Sequence, residues 1–143
     1  MKVGEVMTID VETIHPRQTM KDAAESMLAL DIGILPVGED DHLVGMITDR
    51  DIVIRGIAQG RGVDTEISEL MTRDVKYCFE DQDIEEVTRN MGDIQVRRLP
   101  VMNRQKRLVG IVTIGDIAAA DARRATAEAL NGISRPGGQH TQL

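Results

Sequence analysis

The chain has 143 residues, of which 41% are hydrophobic and 29% are charged, and its formal net charge at pH 7 is -7. This balance predicts a globular protein. No apolar run reaches the roughly 18 residues of a membrane span, and the charged N-terminus is not typical of a secretory signal. We therefore expect a cytoplasmic protein with no membrane partner. The acidic charge, with one Tyr, one Phe and no Trp, argues against a nucleic-acid partner.

The first predicted elements are a short strand and a helix. Residues 11–14 (VETI) are rich in β-formers, and Thr19 with Asp22 has the spacing of a capping box at a helix start. The following apolar residues recur at helical spacing, namely Met20, Ala23, Ala24, Met27 and Leu28.

A hairpin and a second helix are predicted next. ILPV (34–37) and LVGMIT (43–48) are β-rich runs separated by the polar turn GEDDH. The second helix is expected from Asp49 to a point between Gly56 and Gly62. The first copy of the unit therefore reads strand, helix, strand, strand, helix.

The second half of the chain predicts the same order again. Its expected elements are a strand near 75–79, a helix at 83–92, strands at 98–102 and 108–113, and a helix from Gly115. That last helix is expected to continue to about Leu130, and the tail 131–143 is expected to be disordered.

The two halves are copies of one sequence unit. A shift of 64 residues superposes VMTIDV (6–11) on LMTRDV, and ILPV on RLPV (98–101). After one added residue in the second turn, LVGMITDRDI (43–52) matches LVGIVTIGDI (108–117). The repeat places the first motif at 1–62 and the second at 63–130.

The duplicated stretch spans a strand end and the first turn of a helix, where unpaired N–H groups favour an anion or a polar ligand. Its threonine hydroxyl can donate or accept a hydrogen bond, and its carboxylate suits a vicinal diol such as a ribose. Gly45 and Gly110 let a ligand or a neighbouring backbone approach the strand. These features suggest a nucleotide site at Thr48, Asp51, Thr113 and Asp116.

The same Thr-x-x-Asp spacing has a second interpretation that needs no ligand. A threonine followed three residues later by aspartate is also a capping box, in which each residue satisfies the backbone N–H of the other. A duplicated fold would duplicate its caps, so the repeat does not decide between the two interpretations.

The order of the motifs resembles a pair of CBS motifs, named after cystathionine β-synthase. The resemblance covers about residues 1–130 and depends on LPV in the second strand of each copy, followed by the duplicated stretch. The sequence TDRDIVIRG (48–56) is similar to the corresponding motif of small stand-alone bacterial CBS-pair proteins. The resemblance implies an α/β (α+β) fold, with two motifs packed about a pseudo-two-fold axis into a Bateman module that forms a homodimer.

The resemblance also implies a function. Members of the family are non-catalytic and bind adenosine nucleotides or related adenosyl ligands in clefts between the motifs. Asp51 and Asp116 would accept hydrogen bonds from ribose, with Thr48 and Thr113 near ribose or phosphate. Apolar residues of the opposite motif would hold the adenine: Ile9, Val11, Ile32 and Pro36 for the Asp116 cleft, and Val75, Val96 and Pro100 for the Asp51 cleft. These apolar positions are equally typical of an ordinary core.

The copies differ where the resemblance places phosphate. Arg97 and Arg98 precede LPV in the second copy, whereas Gly33 and Ile34 precede it in the first, and Arg50 of the first copy has a glycine as its counterpart. A forked guanidinium pairs well with phosphate. The three arginines are therefore candidate ligand contacts, and one cleft is expected to bind a phosphorylated nucleotide tightly and the other weakly or not at all.

Three function classes follow. The first is a regulatory module that binds AMP, ADP, ATP or a related adenosyl compound and signals to a separate, unnamed protein partner. The second is a protein-interaction or structural dimer whose Thr-x-x-Asp motifs are helix caps. An enzyme is not expected, because the sequence has no Ser-His-Asp set, no clustered metal ligands, one cysteine and no Walker-type GxxxxGK[ST]. We expect no catalytic residue, no metal and no required cofactor.

Overall fold

The computed structural model describes residues 1–120 and 123–137. The chain divides into two compact units, which we call the first-copy unit (Glu12–Val75) and the second-copy unit (Met1–Val11 with Lys76–Leu143). Residues 1–11 therefore pack with the second sequence copy, and residues 63–75 pack with the first. The boundary predicted at 62 and 63 remains a prediction about the sequence repeat.

The first-copy unit contains one helix, one hairpin and a composite helical segment. Helix α1 (Met20–Leu30) precedes strands β1 (Ile34–Glu39) and β2 (His42–Thr48), which pair antiparallel. The chain then continues through α2 (Asp49–Asp51), a π-helix (Ile52–Gly56) and two 3-10 helices (Ile57–Gln59 and Ile67–Glu69). Helix α1 and the hairpin are confirmed, and their apolar side chains form the core of the unit with Ile14, Ile52, Ile67 and Leu70.

The predicted strand at 11–14 is wrong except at its last residue. Ile14 makes an isolated parallel bridge to Val37, with its N–H donating to the Pro36 carbonyl at 3.0 Å and its carbonyl accepting from Gly38 at 2.9 Å. Pro16 follows two residues later and has no N–H with which to continue the ladder. The β-rich composition of VETI therefore yields a single pairing.

The second-copy unit repeats the order of helix and hairpin, and its sheet has three strands where that of the first-copy unit has two. Strand β3 (Cys78–Phe79) runs parallel to β4 (Arg98–Met102), which pairs antiparallel with β5 (Leu108–Thr113). A short 3-10 helix lies at Val3–Glu5, and the α-helices are α3 (Ile84–Ile94), α4 (Ile114–Ala119) and α5 (Arg123–Ile133). The core combines residues of both chain segments, among them Val3, Ile84, Met91, Leu99 and Ile117.

A short chain segment closes on each hairpin and explains part of the repeat. The Thr72 N–H donates to the Met46 carbonyl, and the Thr72 carbonyl accepts from the Met46 N–H, both at 2.9 Å. Thr8 and Ile111 exchange the same two backbone hydrogen bonds at 2.8 and 3.0 Å. A Cβ at Gly45 would lie 2.9 Å from the Thr72 oxygen, and one at Gly110 would lie 2.7 Å from the Thr8 oxygen. The repeated glycine is therefore required by a neighbouring backbone, which was one of its two predicted uses.

The single long helix predicted from Gly115 to Leu130 is wrong. Helix α4 ends at Ala119, and a second helix, α5, extends to Ile133. Tertiary packing outweighs the alanine-rich propensity here, because α5 lies against α3 where Gly132 meets the Gly92 carbonyl. The tail expected to be disordered from 131 is helical as far as 133, and residues 138–143 of that prediction lie outside the described residues.

Candidate functional site

The first copy of the duplicated motif forms a complete capping box at the end of β2. The Thr48 N–H donates to Asp51 Oδ2 at 3.0 Å, and the Asp51 N–H donates to Thr48 Oγ1 at 3.1 Å. Both residues are buried, each with 6% of its surface exposed. The pair therefore fixes the strand-to-helix turn inside the first-copy unit.

The second copy has the same bonds in a more open setting. The Thr113 N–H donates to Asp116 Oδ2 at 3.0 Å, and the Asp116 N–H donates to Thr113 Oγ1 at 3.1 Å. Both residues are half-buried. Among the residues that the structure describes, none forms a hydrogen bond or ion pair with Asp116 Oδ1, so this oxygen can accept a donor from a ligand.

A third capping box shows that the pattern alone does not indicate a ligand. Thr19 and Asp22 exchange the same two bonds at 2.9 and 3.2 Å before α1, away from the duplicated motif in sequence. Replacing such a cap typically costs about 0.5 to 2 kcal/mol of stability. The cap interpretation is thus confirmed at all three places, and a binding role needs further observations.

Arg55 distinguishes the two copies. Its Nε lies 3.8 Å from Asp51 Oδ1, while its Nη1 donates to the carbonyls of Leu70 and Met71 at 3.1 and 3.2 Å. The corresponding position of the second copy is Ala120. Sequence reasoning missed Arg55, although its i, i+4 spacing from Asp51 was an available signal.

The residues opposite the two threonines also differ. Arg98 is the cross-strand partner of Thr113 in the β4–β5 ladder, whereas Ile34 is the partner of Thr48. Directly opposed residues project from the same face of a sheet. The structure therefore places the half-buried Arg98 on the same sheet face as Thr113, the capping partner of Asp116. At the matching position of the first copy, a buried aliphatic side chain lies beside Thr48.

In each copy, the residue that precedes the cross-strand partner of the threonine accepts a hydrogen bond through its backbone carbonyl. The Ile114 N–H donates to the Arg97 carbonyl at 3.1 Å, and the Asp49 N–H donates to the Gly33 carbonyl at 2.9 Å. The Arg97 side chain is exposed, as is that of Arg50, whose own N–H donates to Asp49 Oδ1 at 2.8 Å. Both arginines are reachable by a ligand, but among the described residues neither side chain forms an ion pair with Asp51 or Asp116.

The apolar residues predicted to hold the adenine fall into three groups by exposure. Ile9 and Ile32 are exposed, Val11 and Val75 are half-buried, and Pro36, Pro100 and Val96 are buried. Val96 belongs to the core of the second-copy unit, as its alternative interpretation anticipated. The role of all seven toward a ligand stays a prediction.

Other kinds of site have less support in the described part of the chain. No group of three or more His, Cys, Asp and Glu side chains is arranged to hold a metal ion among the residues described. Cys78 is buried, and burial raises the pKa of its thiol to about 12, which is the behaviour of an inert core thiol. None of the described helices combines the length and apolarity needed to cross a membrane.

Comparison with known proteins identifies the fold. The model of the CBS domain family matches residues 3–56 and 67–123. The CBS domain-containing protein YhcV of Bacillus subtilis (strain 168) is 40% identical over 133 residues, which cover 92% of this chain and 94% of YhcV.

Solved structures agree with this match. Hypoxic Response Protein I, crystallised with two coordinated zinc ions, is 41% identical with a TM-score of 0.75, covering 84% of this chain and 98% of that one. The CBS domain pair of MJ0100, in complex with 5-methylthioadenosine and S-adenosyl-L-methionine, is 30% identical with a TM-score of 0.75, covering 87% and 98%. CBSX2 in complex with AMP is 26% identical with a TM-score of 0.75, covering 86% and 97%.

Proposed function

This chain belongs to the CBS domain family, and we propose that it is a non-catalytic regulatory module that binds an adenosine nucleotide and signals the ligand's presence to a separate protein. AMP or ATP is the ligand we propose first, and no cofactor is required. The observation that carries this proposal is that relatives aligned over most of the chain, MJ0100 and CBSX2, hold adenosyl ligands. The mixed helix and sheet fold and the tandem motifs are those of CBS pairs.

Within the chain, the second copy offers the better ligand environment. Asp116 has an uncommitted carboxylate oxygen that suits the two hydroxyls of a ribose, and Arg98 lies on the same sheet face as Thr113. A guanidinium near bound phosphate forms charge-assisted hydrogen bonds, which are the strong class in proteins. We propose that Asp116 binds ribose and that Arg98 binds phosphate, with Thr113 between them.

The remaining parts of the proposal concern the first copy and the adenine. On the family pattern alone, Asp51 and Thr48 belong to the cleft that we propose to bind nucleotide weakly or not at all, and Arg50 and Arg97 are candidate phosphate contacts. Adenine is assigned to the seven apolar positions, namely Ile9, Val11, Ile32, Pro36, Val75, Val96 and Pro100. A homodimer, a cytoplasmic location and an unnamed regulated partner complete the proposal, and sedimentation of the purified chain tests the dimer.

A second function has an observation in its favour. All three Thr-x-x-Asp sequences are complete capping boxes, so the duplicated motif is explained if the protein is only a structural or interaction module. In that case Asp116→Ala would lower stability and leave no nucleotide effect to detect.

Thermal unfolding with a ligand panel separates the two functions. Protein shown to be free of co-purified nucleotide is melted with AMP, ADP, ATP, NAD or S-adenosylmethionine, as wild type, Asp51→Ala and Asp116→Ala. A ligand at 100 times its Kd should stabilise the fold by about 2.7 kcal/mol, a shift of several degrees for this size. A shift that Asp116→Ala abolishes supports the regulatory module, whereas no shift with any ligand supports the structural one.

A further inference from the structure

The two copies of the motif place their carboxylates in different electrostatic settings. In the first-copy unit, Asp51 is buried, one of its oxygens accepts the Thr48 N–H, and the other faces the Arg55 guanidinium at 3.8 Å. In the second-copy unit, one oxygen of Asp116 likewise accepts the Thr113 N–H. The position that matches Arg55 is Ala120, which carries no charge. A diol that donates two hydrogen bonds to a carboxylate would therefore compete with Arg55 in the first copy, whereas in the second copy no described residue forms an ion pair with Asp116.

Arg55 is held where it is by more than its charge. Its Nη1 donates to two consecutive carbonyls, those of Leu70 and Met71, which follow the 3-10 helix at Ile67–Glu69. Arg55 also lies in the π-helix Ile52–Gly56, whereas the matching residues 117–119 of the second copy lie in the regular α-helix α4. Single π turns inserted in helices are uncommon and are often found at functional sites. Moving the guanidinium away from Asp51 would give up these carbonyl bonds as well.

From this geometry we propose that Arg55 is a specificity-determining residue that closes the first copy of the motif to a ribose diol, so that each chain binds one adenosine nucleotide, at Asp116. The inference rests on the proposed function and refines it by assigning the two copies different roles. Asp51 and Arg55 then form a fixed structural pair joining the helical segment to Leu70 and Met71. The second copy alone responds to nucleotide.

Counting bound nucleotide tests this assignment. Nucleotide-free protein is titrated with AMP by calorimetry as wild type, Asp51→Asn, Asp116→Asn and Arg55→Met. We expect one AMP per chain in the wild type, unchanged in Asp51→Asn and lost in Asp116→Asn, and a second site in Arg55→Met. Arg61→Met is the matched control, since Arg61 is a neighbouring arginine of the same unit that pairs with Glu69 at 3.6 Å, and its stoichiometry should stay at one.

Ala120→Arg covers the case in which Arg55→Met fails to fold. This substitution places a guanidinium four residues after Asp116, as Arg55 stands to Asp51, and it should weaken AMP binding about tenfold or more by competing for the carboxylate.

Three results would overturn the proposal. These are two equal sites in the wild type, a single site lost in Asp51→Asn and kept in Asp116→Asn, or one site in folded Arg55→Met. If Arg55→Met does not fold, an unchanged AMP affinity in Ala120→Arg takes the place of the third result. Any of them would leave nucleotide binding itself intact. An absence of AMP binding in every variant, by contrast, would reject AMP as the ligand. Together with no thermal shift from any ligand of the panel, it would reject the proposed function and this inference with it.

Discussion

Arg98 and Thr113 stand directly opposite each other in the β4–β5 ladder, whereas the corresponding pair in the other copy is Ile34 and Thr48. One sheet face therefore presents a guanidinium beside the candidate ribose site in the second-copy unit only. We predict that Arg98→Gln lowers the affinity for AMP by about tenfold or more, because hydrogen bonds to charged groups contribute about 1.5 to 3 kcal/mol.

The matched ligand for this prediction is 5-methylthioadenosine, which has no phosphate and should bind Arg98→Gln and wild type alike. The matched variant is Arg104→Gln, which removes the same charge from the same unit at a side chain already bound to Asp81 at 2.8 and 2.7 Å and stacked on Phe79. Equal losses for both ligands, measured by calorimetry, would show that Arg98 does not act on phosphate.

Substituting Thr19 and Thr113 should distinguish an effect on helix capping from an effect on ligand binding. Thr19→Ala and Thr113→Ala each remove the acceptor of one capping bond, and each should lower the free energy of unfolding by about 0.5 to 2 kcal/mol. Only Thr113→Ala should also weaken nucleotide binding, since Thr19 caps α1, which carries none of the motif. Urea unfolding measures the first effect and calorimetry the second. Equal nucleotide affinity in the two variants would remove Thr113 from the site.

The repeated glycine should be intolerant of a side chain for a structural reason. Gly110→Ala would place a Cβ 2.7 Å from the Thr8 carbonyl oxygen, and such overpacking typically costs about 1 to 3 kcal/mol. Gly115→Ala is the control, because among the described residues its Cβ would meet Thr113 Oγ1 alone, at an ordinary contact distance of 3.5 Å, in the first turn of a helix. Denaturant unfolding should show Gly110→Ala destabilised and Gly115→Ala neutral or stabilised, and equal stabilities would contradict the close approach.

Cys78 predicts a loss of stability at alkaline pH. Burial raises the pKa of its thiol from 9.0 to about 12, so above pH 9 the unfolded chain releases a proton that the folded chain retains. The stabilisation is complete below pH 9 and declines as the pH rises toward 12, with a slope of at most about 1.4 kcal/mol per pH unit. Unfolding of wild type and Cys78→Ala between pH 8 and 10.5 should show the extra decline in the wild type alone; parallel curves would contradict a buried thiol.

Local patterns in the sequence predicted much of the fold. The capping box at Thr19, the hairpins around 34–48 and 98–113, and the helix near 83–92 all depend on spacing within a few residues, and the structure contains them. The predictions failed where contacts between residues distant in sequence determine the structure. Helix α5 packs against α3, where Gly132 meets the Gly92 carbonyl, and residues 1–11 pack with the second copy. No local pattern encodes either contact.

The candidate site divides in the same way. Thr48 and Thr113 end β2 and β5, and Asp51 and Asp116 lie in the helical turn that follows, as the sequence predicted. Their capping bonds follow from the spacing, and their role toward a ligand stays a prediction. The role of Arg55 was missed, because its two carbonyl acceptors lie 15 and 16 residues away and only the folded unit brings them together. The alignment of Arg98 with Thr113 likewise depends on strand register.

The most direct test of the account is whether Asp116 recognises the ribose hydroxyls. AMP and 2′-deoxy-AMP are titrated into nucleotide-free wild type and Asp116→Asn, with Asp22→Asn as the control that alters a capping aspartate elsewhere. We predict that the wild type prefers AMP by about tenfold or more, that Asp22→Asn keeps the preference, and that Asp116→Asn loses it. Equal affinities in the wild type, or a preference that survives in Asp116→Asn, would contradict ribose recognition by this carboxylate.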